Sequence, residues 1–249
     1  MLRFLRDALG AAYGLIALPL FMALLVLATL AVLVVPGLER RRAVTGAFAR
    51  TGLAFLGVRL VVQGLEHLPH GACVVAANHA SYLDGVVMVA VLPPRFAFVV
   101  KREASSMPVI GFLLRRIGVE FVDRHDRGSR QRDARRVVRR AEQGHALVFF
   151  PEGTFSREPG LRRFHIGAFV AAMRGEVPLV PIVIHGARRL MPSGNLLTRP
   201  GVVRVEILEP IEAAQARGSV EVLRDLARLQ IAGRLDEPDL HPAKPRAVA

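Results

Sequence analysis

The stretch from residue 8 to residue 38 contains no charged side chain, and it constrains the fold of this chain more than any other feature. These 31 residues exceed the ~20 that a helix needs to cross the hydrocarbon core of a bilayer. Pro19 inside the stretch and Pro36 near its end allow a tilted span, a kinked span or a helix pair that enters one leaflet. The stretch is too long for the apolar region of a secretory signal, and no A-x-A cleavage site follows it. We therefore predict a membrane-embedded helical segment.

Charges on the two sides of this stretch differ. Arg40–Arg42 and Arg50 follow it, whereas Arg3 and Arg6 precede it. The positive-inside bias then predicts that the body of the protein lies on the cytoplasmic face of the inner or plasma membrane. Residues 43–64 form a second apolar stretch with interspersed arginines, which either lies on the bilayer surface or belongs to an ordinary core.

The composition narrows the class of protein and of partner. The chain has 249 residues with 52% hydrophobic and 22% charged residues, which excludes a disordered chain and suits one α/β domain with an appendage. The net charge of +13 predicts an anionic partner, nucleic acid or acidic lipid, and the hydrophobicity favours lipid. Cys73 is the one cysteine in the sequence, which excludes an intramolecular disulfide and a thiolate metal cluster.

From residue 71 onward, short apolar runs alternate with helix-length periods, which predicts a mixed, mostly parallel sheet flanked by helices. The predicted strands are Ala72–Ala77, Phe96–Val100, Val119–Val122, Ala146–Phe150, Leu179–Ile184 and Val202–Leu208. The predicted helices are Tyr82–Leu92, Pro108–Arg116, Arg130–Gln143 and Ile166–Arg174. We divide the chain into a membrane-associated segment (1–64), an α/β domain (65–235) and a flexible, proline-rich tail (236–249).

Three loops that follow predicted strands collect residues capable of chemistry: 78–84, 121–124 and 150–157. Ligands of α/β sheets bind beyond the carboxyl ends of the strands, so three such loops at one edge predict a single site.

His79 and Asp84 are a candidate acid-base pair in the first loop. Residues five apart on a helix point away from each other, so the two side chains meet only if His79 precedes the helix. Ser81 is a good N-cap and would begin the helix after His79. Two interpretations stay open: Asp84 orients His79 as a general base, or Ser81 and Asp84 merely form a capping box.

Candidate anion-binding residues stand in or near the other loops. Lys101, Arg124 and Arg157 offer cations, while Glu152 and Gly153 offer an acceptor and a tight turn. Each alone is also explained by a solvated lysine, a surface ion pair or a strand-ending turn. Together with a proton acceptor and a membrane segment, they point to a reaction on an anionic lipid.

At these residues the sequence resembles the 1-acyl-sn-glycerol-3-phosphate acyltransferase family, over residues 58–210. The matching blocks, in order, are N-H-x-S-x-x-D at 78–84, K-x-E at 101–103, G-x-x-F-x-D-R at 118–124, F-P-E-G-T with a following Ser-Arg at 150–157, F-K-x-G-A at 164–168 and V-P-I at 180–182. His165 departs from the usual lysine of its block, which puts one basic contact in doubt.

The resemblance implies direct transfer of an acyl group to a glycerol hydroxyl, with His79 as the base and Asp84 holding its imidazole. It implies that Glu152, Gly153 and Thr154 contact the acceptor, and that Lys101, Arg124 and Arg157 hold its phosphate. The implied co-substrate is acyl-CoA or an acyl carrier protein, the implied partners are membrane lipids, and no metal or other cofactor is required. Oxyanion donors are expected among backbone amides near Gly153.

Other functions stay open at this point. The acceptor is lysophosphatidate or another lysolipid. A serine hydrolase would use Ser81 or Ser156 as its nucleophile, but no G-x-S-x-G elbow occurs. A membrane-tethered cationic lipid-binding protein would rest on the eight arginines between residues 124 and 140, which we expect to form the outer face of a helix near an anionic membrane. That run lacks the interleaved aromatics of a nucleic-acid site.

Overall fold

A computed structural model of the protein describes residues 2–123 and 126–242. Within these residues the strands are β1 (Val58–Gln63), β2 (Val74–Ala77), β3 (Ala97–Lys101), β4 (Glu120–Val122), β5 (Leu147–Phe149), β6 (Leu179–His185) and β7 (Gly201–Ile207). The α-helices are α1 (Leu2–Val34), α2 (Leu38–Phe55), α3 (Leu83–Val91), α4 (Ile110–Arg116), α5 (Arg127–Glu142), α6 (Gly167–Arg174), α7 (Ala187–Leu190) and α8 (Val220–Ala232).

The described strands form one sheet in the order β1-β7-β6-β2-β5-β3-β4. All pairs are parallel except β6 with β7. The central strands are buried on both faces, which explains why their sequences are continuous apolar runs without alternation. The predicted fold class, a mixed and mostly parallel sheet flanked by helices, is confirmed.

Residues 43–64, which the sequence left as one stretch on the bilayer or in the core, divide between two elements. Residues up to 55 belong to α2, and Val58–Gln63 form the edge strand β1. β1 pairs in parallel with β7, so this part of the predicted membrane-associated segment is built into the sheet.

Helices cover both faces of the sheet. One core cluster joins α1, α2 and α3 to one face, through residues such as Ala17, Leu53 and Val87. The other joins α5, α6 and α8 to the opposite face, through residues such as Val137, Phe169 and Ala227. The α/β body is therefore a three-layer arrangement with α1 and α5 on opposite sides.

The long apolar helix α1 lies against the body along much of its length. Its contacts recur with helical spacing at Gly14, Ala17, Phe21, Ala28 and Val32, which are buried or half-buried. The opposite side of α1 exposes large apolar side chains, namely Leu15, Ile16, Leu20, Val26, Leu27, Leu30 and Leu33. Tyr13–Val34 has a mean hydropathy of 2.7 and is long and apolar enough to cross a membrane.

Several arginines fasten α1 and α2 to the body by donating to backbone carbonyls. Arg42 bonds the carbonyls of Ile117, Arg95 and other loop residues, and Arg50 bonds that of Ala90. Arg116 donates to the Val32 carbonyl, and Arg41 donates to the Val35 carbonyl. Both arginines therefore satisfy carbonyls that have no partner within the C-terminal end of α1. The basic residues after the apolar stretch therefore also have a local structural role.

The expectation of a flexible tail from residue 236 is wrong for its first part. Leu161 exchanges backbone hydrogen bonds with Pro238 and Leu240, and Asp239 pairs with Arg228 of α8. These contacts bind residues 238–240 to the body, while residues 243–249 lie outside the described part of the chain.

Candidate active site

The predicted site loops meet at one edge of the sheet. β2, β5, β3 and β4 are neighbours in that order and run parallel, so their carboxyl ends lie side by side. His79 follows β2, the 150–157 loop follows β5, Lys101 ends β3 and Asp123 follows β4. Strands are ~4.8 Å apart, which places the end of β4 about 14 Å from the end of β2.

His79 and Asp84 are in direct contact. Nδ1 of His79 lies 2.9 Å from Oδ2 of Asp84, whose carboxylate is completely buried. Helix α3 begins at Leu83, so His79 sits in the loop before it, as the spacing required. Since Nδ1 is occupied by the carboxylate, Nε2 is the ring nitrogen left for a substrate hydroxyl.

The two interpretations of the Ser81 and Asp84 spacing are both partly realised. Oδ2 of Asp84 accepts from the backbone amides of Ala80 and Ser81, at 2.6 and 2.7 Å, as well as contacting His79. Ser81 is not the N-cap; its hydroxyl accepts from the Leu83 amide and donates to the Met191 carbonyl. The carboxylate thus shapes the loop and orients the histidine at once.

Aromatic rings enclose the imidazole of His79. The Phe150 ring stacks on it with centroids 4.3 Å apart, and the Phe155 ring meets it edge-on at 4.6 Å. Tyr82 packs edge-on against Phe155 and is 56% exposed, so this pair stands between the histidine and solvent. These contacts limit rotation of the ring and lower the local polarity around it.

Glu152 connects the His79 loop to a third segment. One of its carboxylate oxygens accepts from the His79 amide at 2.6 Å, and the other accepts from the Arg162 amide at 2.7 Å. Burial raises the pKa of Glu152 to about 7, although the two amide hydrogen bonds oppose the shift. This arrangement supports a positioning role, and the glycerol contact implied by the resemblance stays a prediction.

The turn after Glu152 depends on a glycine. Gly153 has a φ of 74°, in the left-handed region that residues with a Cβ disfavour. Its amide donates to the Phe150 carbonyl, so the oxyanion donor expected near this residue must be another group. Thr154, the third predicted acceptor contact, is exposed beside the turn.

The structure describes two of the three residues that were predicted to bind the phosphate. Lys101 is exposed at the end of β3. Arg157 is exposed in the loop after β5, and its Nε donates to the Ser193 carbonyl at 3.2 Å. Arg124 lies outside the described residues, directly after Asp123.

Two residues that support the site were missed by the sequence analysis. Asn78 exchanges two hydrogen bonds with the backbone of Ile184, which fixes the end of β2 to β6. Arg228 of α8 is 3% exposed and donates to the carbonyls of Leu161 and Arg162, behind the amide that Glu152 holds. Asn78 stands in a predicted loop, but nothing near Arg228 in the sequence marks it.

Comparisons with known proteins show which proteins the chain is similar to. A family model described as Acyltransferase matches residues 59–185, about half of the chain. A chloroplastic 1-acyl-sn-glycerol-3-phosphate acyltransferase of Brassica napus is 36% identical over 174 residues, which are 69% of this chain and 49% of that protein. The beta enzyme of the same name from Homo sapiens is 30% identical over 176 residues, 68% of this chain and 61% of that protein. The chain spans about half the length of the plant relatives that it matches.

A solved structure has the same fold. The crystal structure of the 1-acyl-sn-glycerophosphate acyltransferase of Thermotoga maritima matches with a TM-score of 0.75 at 23% sequence identity. The match covers 92% of this chain and 94% of that one, so it extends to the N-terminal helices as well as the sheet.

Proposed function

The chain belongs to the acyltransferase family, and from that membership we propose that it transfers a fatty acyl group from a thioester to the free hydroxyl of a lysophospholipid. The acceptor that we propose is 1-acyl-sn-glycerol-3-phosphate, which gives phosphatidate. The relatives that carry this name support the choice, as do the cations predicted at the sheet edge. Acyl-CoA or an acyl carrier protein serves as the donor.

The observation that carries the proposal is the 2.9 Å contact between His79 Nδ1 and Asp84 Oδ2. The buried carboxylate fixes the tautomer in which Nε2 accepts a proton, and it stabilises the imidazolium that forms afterwards. Phe150 and Phe155 hold the ring in place, so the base is already oriented when the acceptor binds.

The reaction then proceeds without an acyl-enzyme. Nε2 of His79 takes the proton of the glycerol hydroxyl while the oxygen attacks the thioester carbonyl carbon. The tetrahedral intermediate collapses, the carbon-sulfur bond breaks, and the imidazolium returns its proton to the departing thiolate. This scheme needs no metal or redox cofactor. It also needs no enzyme nucleophile, and Cys73 is fully buried, with burial raising the pKa of its thiol to about 11.

The acceptor's phosphate is held away from the base. Lys101 ends a strand two places from β2 in the sheet. Arg124 comes in the sequence directly after Asp123, which follows the strand three places from β2. With Arg157 from the neighbouring loop, these cations fix the phosphate at one end of the glycerol and leave the hydroxyl at His79. Glu152 holds the His79 loop in this arrangement.

We further propose that α1 embeds the protein in a membrane, with the body on the cytoplasmic face. The exposed apolar side of α1 supports membrane association, and the excess of arginine after the apolar stretch supports this orientation. An acceptor that resides in the bilayer would then reach the site without leaving the membrane surface.

Thiol release from acyl-CoA by the purified full-length protein in detergent tests the function. We expect release that depends on lysophosphatidate, with phosphatidate as the product. His79→Ala and Asp84→Asn should each lower kcat by about 10³-fold or more, because base and partner act as one unit. An amide at residue 84 keeps an acceptor oxygen but loses the charge that stabilises the imidazolium.

His70→Ala is the matched control, because His70 is an exposed histidine nine positions away with no role in the scheme. It should leave the rate unchanged. Release without acceptor that still depends on His79 would indicate a thioesterase. Undiminished transfer by His79→Ala would eliminate the general-base mechanism, and no transfer to any lysolipid from either donor would favour a lipid-binding protein.

A further inference from the structure

A buried carboxylate on α5 lies outside every block of the family resemblance. Asp133 is 3% exposed, and both of its oxygens are engaged. Oδ2 accepts from the Asp123 amide at 2.8 Å and from Arg102 Nη2 at 2.6 Å, while Oδ1 accepts from Arg136 Nη1 at 2.7 Å. Burial raises the pKa of Asp133, but these three hydrogen bonds outweigh it and the pKa lies below its ordinary value.

Two of its three donors belong to strand ends that carry predicted phosphate contacts. Arg102 follows Lys101 at the end of β3, and Asp123 precedes Arg124 after β4. Arg102 Nε also lies 3.6 Å from Oδ2 of Asp123, so Asp133, Arg102 and Asp123 all contact one another. One carboxylate therefore ties the ends of two neighbouring strands together at the edge where the acceptor's phosphate is expected.

The neighbouring carboxylate provides a comparison. Glu120 of β4 is 8% exposed and accepts from Nε of Arg136 and Nε of Arg140, both at 3.0 Å. It shares Arg136 with Asp133, but neither Arg102 nor the Asp123 amide donates to it. Glu120 thus joins α5 to the sheet, whereas Asp133 also holds the two strand ends.

We propose that Asp133 is a positioning residue for phosphate recognition, which holds the ends of β3 and β4 together, beside Lys101, through Arg102 and the Asp123 amide. This inference rests on the proposed function. In this proposal, a residue of α5 contributes to the enzyme's preference for acceptors that carry a phosphate. The chemistry at His79 is unaffected. The expected defect of an Asp133 variant is therefore in selectivity and acceptor KM.

The test compares lysophosphatidate with a monoacylglycerol of the same chain length, which lacks the phosphate. For Asp133→Asn we expect the ratio of kcat/KM between the two acceptors to fall about tenfold, the effect of weakening one charge-assisted hydrogen bond to phosphate. KM for lysophosphatidate should rise, and kcat should stay within about twofold of the wild type. Glu120→Gln, the matched control, should keep the wild-type ratio even if it lowers thermal stability.

A double-variant cycle locates the effect. If Asp133 acts through Lys101, adding Asp133→Asn to Lys101→Ala should reduce the ratio no further, because the effects of coupled residues are not additive. Should Asp133→Asn fail to fold, Arg102→Gln removes the second donor from a half-exposed position and should lower the ratio in the same direction.

The outcomes are separable from those of the proposed function. A wild-type protein without transfer to lysophosphatidate overturns the proposed function. A wild-type protein that transfers, with an unchanged ratio in Asp133→Asn or Arg102→Gln, overturns this inference alone. Equal losses of ratio in Asp133→Asn and Glu120→Gln would show that general loosening of α5, and not the strand-end contacts, is responsible.

Discussion

At the scale of single residues, Glu152 shows how one side chain serves structure and function. Its two oxygens hold amides of the His79 loop and of the 161–162 segment, which Arg228 supports from behind. Because both oxygens act as acceptors, an amide side chain at this position would point an NH₂ group at one of the backbone N–H donors. The carboxyl group is therefore needed because both of its oxygens can accept a hydrogen bond, and its charge matters less.

This leads to a prediction about pH. The pKa of Glu152 rises from 4.5 to about 7 in the folded protein, so the native state keeps a proton that the unfolded chain has lost. The associated stability is complete below pH 4.5 and is lost as the pH rises through about 7. Relative to Glu152→Gln, the wild type should lose up to about 3 kcal/mol of unfolding free energy over this window. Denaturant unfolding in detergent at several pH values measures the difference.

Glu158→Gln is the control for that series, because Glu158 is an exposed glutamate of the same loop. Its unfolding free energy should follow the wild type at every pH. A pH-independent difference between the wild type and Glu152→Gln would contradict the raised pKa.

The residues of the site were predictable to different degrees. The contact of His79 with Asp84 follows from the spacing once the helix begins after His79. The helix does so, although its N-cap is Tyr82 and not the predicted Ser81. The role of Glu152 did not follow, because a glutamate in a turn is equally able to face a ligand or backbone amides. Asp133 and Arg228 were not predictable, since the partners that connect them to the site, the Asp123 amide for Asp133 and the Leu161 carbonyl for Arg228, are 10 and 67 residues away and lie outside their helices.

At the scale of elements, α1 is fastened to the body at both ends of its apolar stretch. Gly14 lies so close to Leu197 that a Cβ would be 3.0 Å from the leucine side chain, and Val32 packs with Leu113 and Ile117. These two contacts are ~27 Å apart along a helix that rises ~1.5 Å per residue. The hydrocarbon core is ~30 Å thick, so a perpendicular span would draw the body into it.

We therefore expect α1 to enter one leaflet with both ends on the same side. In reconstituted vesicles with the body outside, Asp7→Cys and Glu39→Cys should both react with a membrane-impermeant maleimide. The native Cys73 is buried and its thiol pKa is about 11, so it should stay unlabelled under native conditions.

Unfolding in detergent supplies the control, because every cysteine should then react. Labelling of Glu39→Cys without labelling of Asp7→Cys in intact vesicles would mean that α1 spans the bilayer and that its contacts with the body open in the membrane.

The elements of the sheet centre were predictable because burial on both faces makes them continuous apolar runs. β1 was not separated from α2, because it is a half-buried edge strand whose partner β7 begins at residue 201. α8 was overlooked as an element, although its buried positions Leu223, Ala227 and Ile231 recur every four residues. The tail was misjudged because prolines at 238 and 242 resemble a linker, while the ion pair of Asp239 with Arg228 is visible only in the fold.

At the scale of the whole molecule, charge and apolar surface lie on different sides. α1 lies on the side of one face of the sheet, with its exposed apolar side chains turned away from the body, and α5 packs on the other face. Of the arginines in α5, Arg136 and Arg140 are paired with Glu120. The sequence predicts that this arginine run lies near the membrane. If α1 is in the bilayer, however, the opposite face of the body is turned toward the membrane and α5 is turned away from it.

Vesicle binding distinguishes the two surfaces. The fourfold change of the exposed arginines 130, 132, 135 and 139 to glutamine should alter binding to anionic vesicles by no more than about twofold at physiological salt, where screening is ~8 Å. Ile16→Asp with Leu27→Asp should instead abolish binding, since a charge placed in hydrocarbon costs ~2.5–3.5 kcal/mol per site. If the arginine variant loses binding and its salt dependence, α5 contacts the membrane. In that case α1 must leave its place on the body, and the one-leaflet labelling pattern should fail in the same preparation.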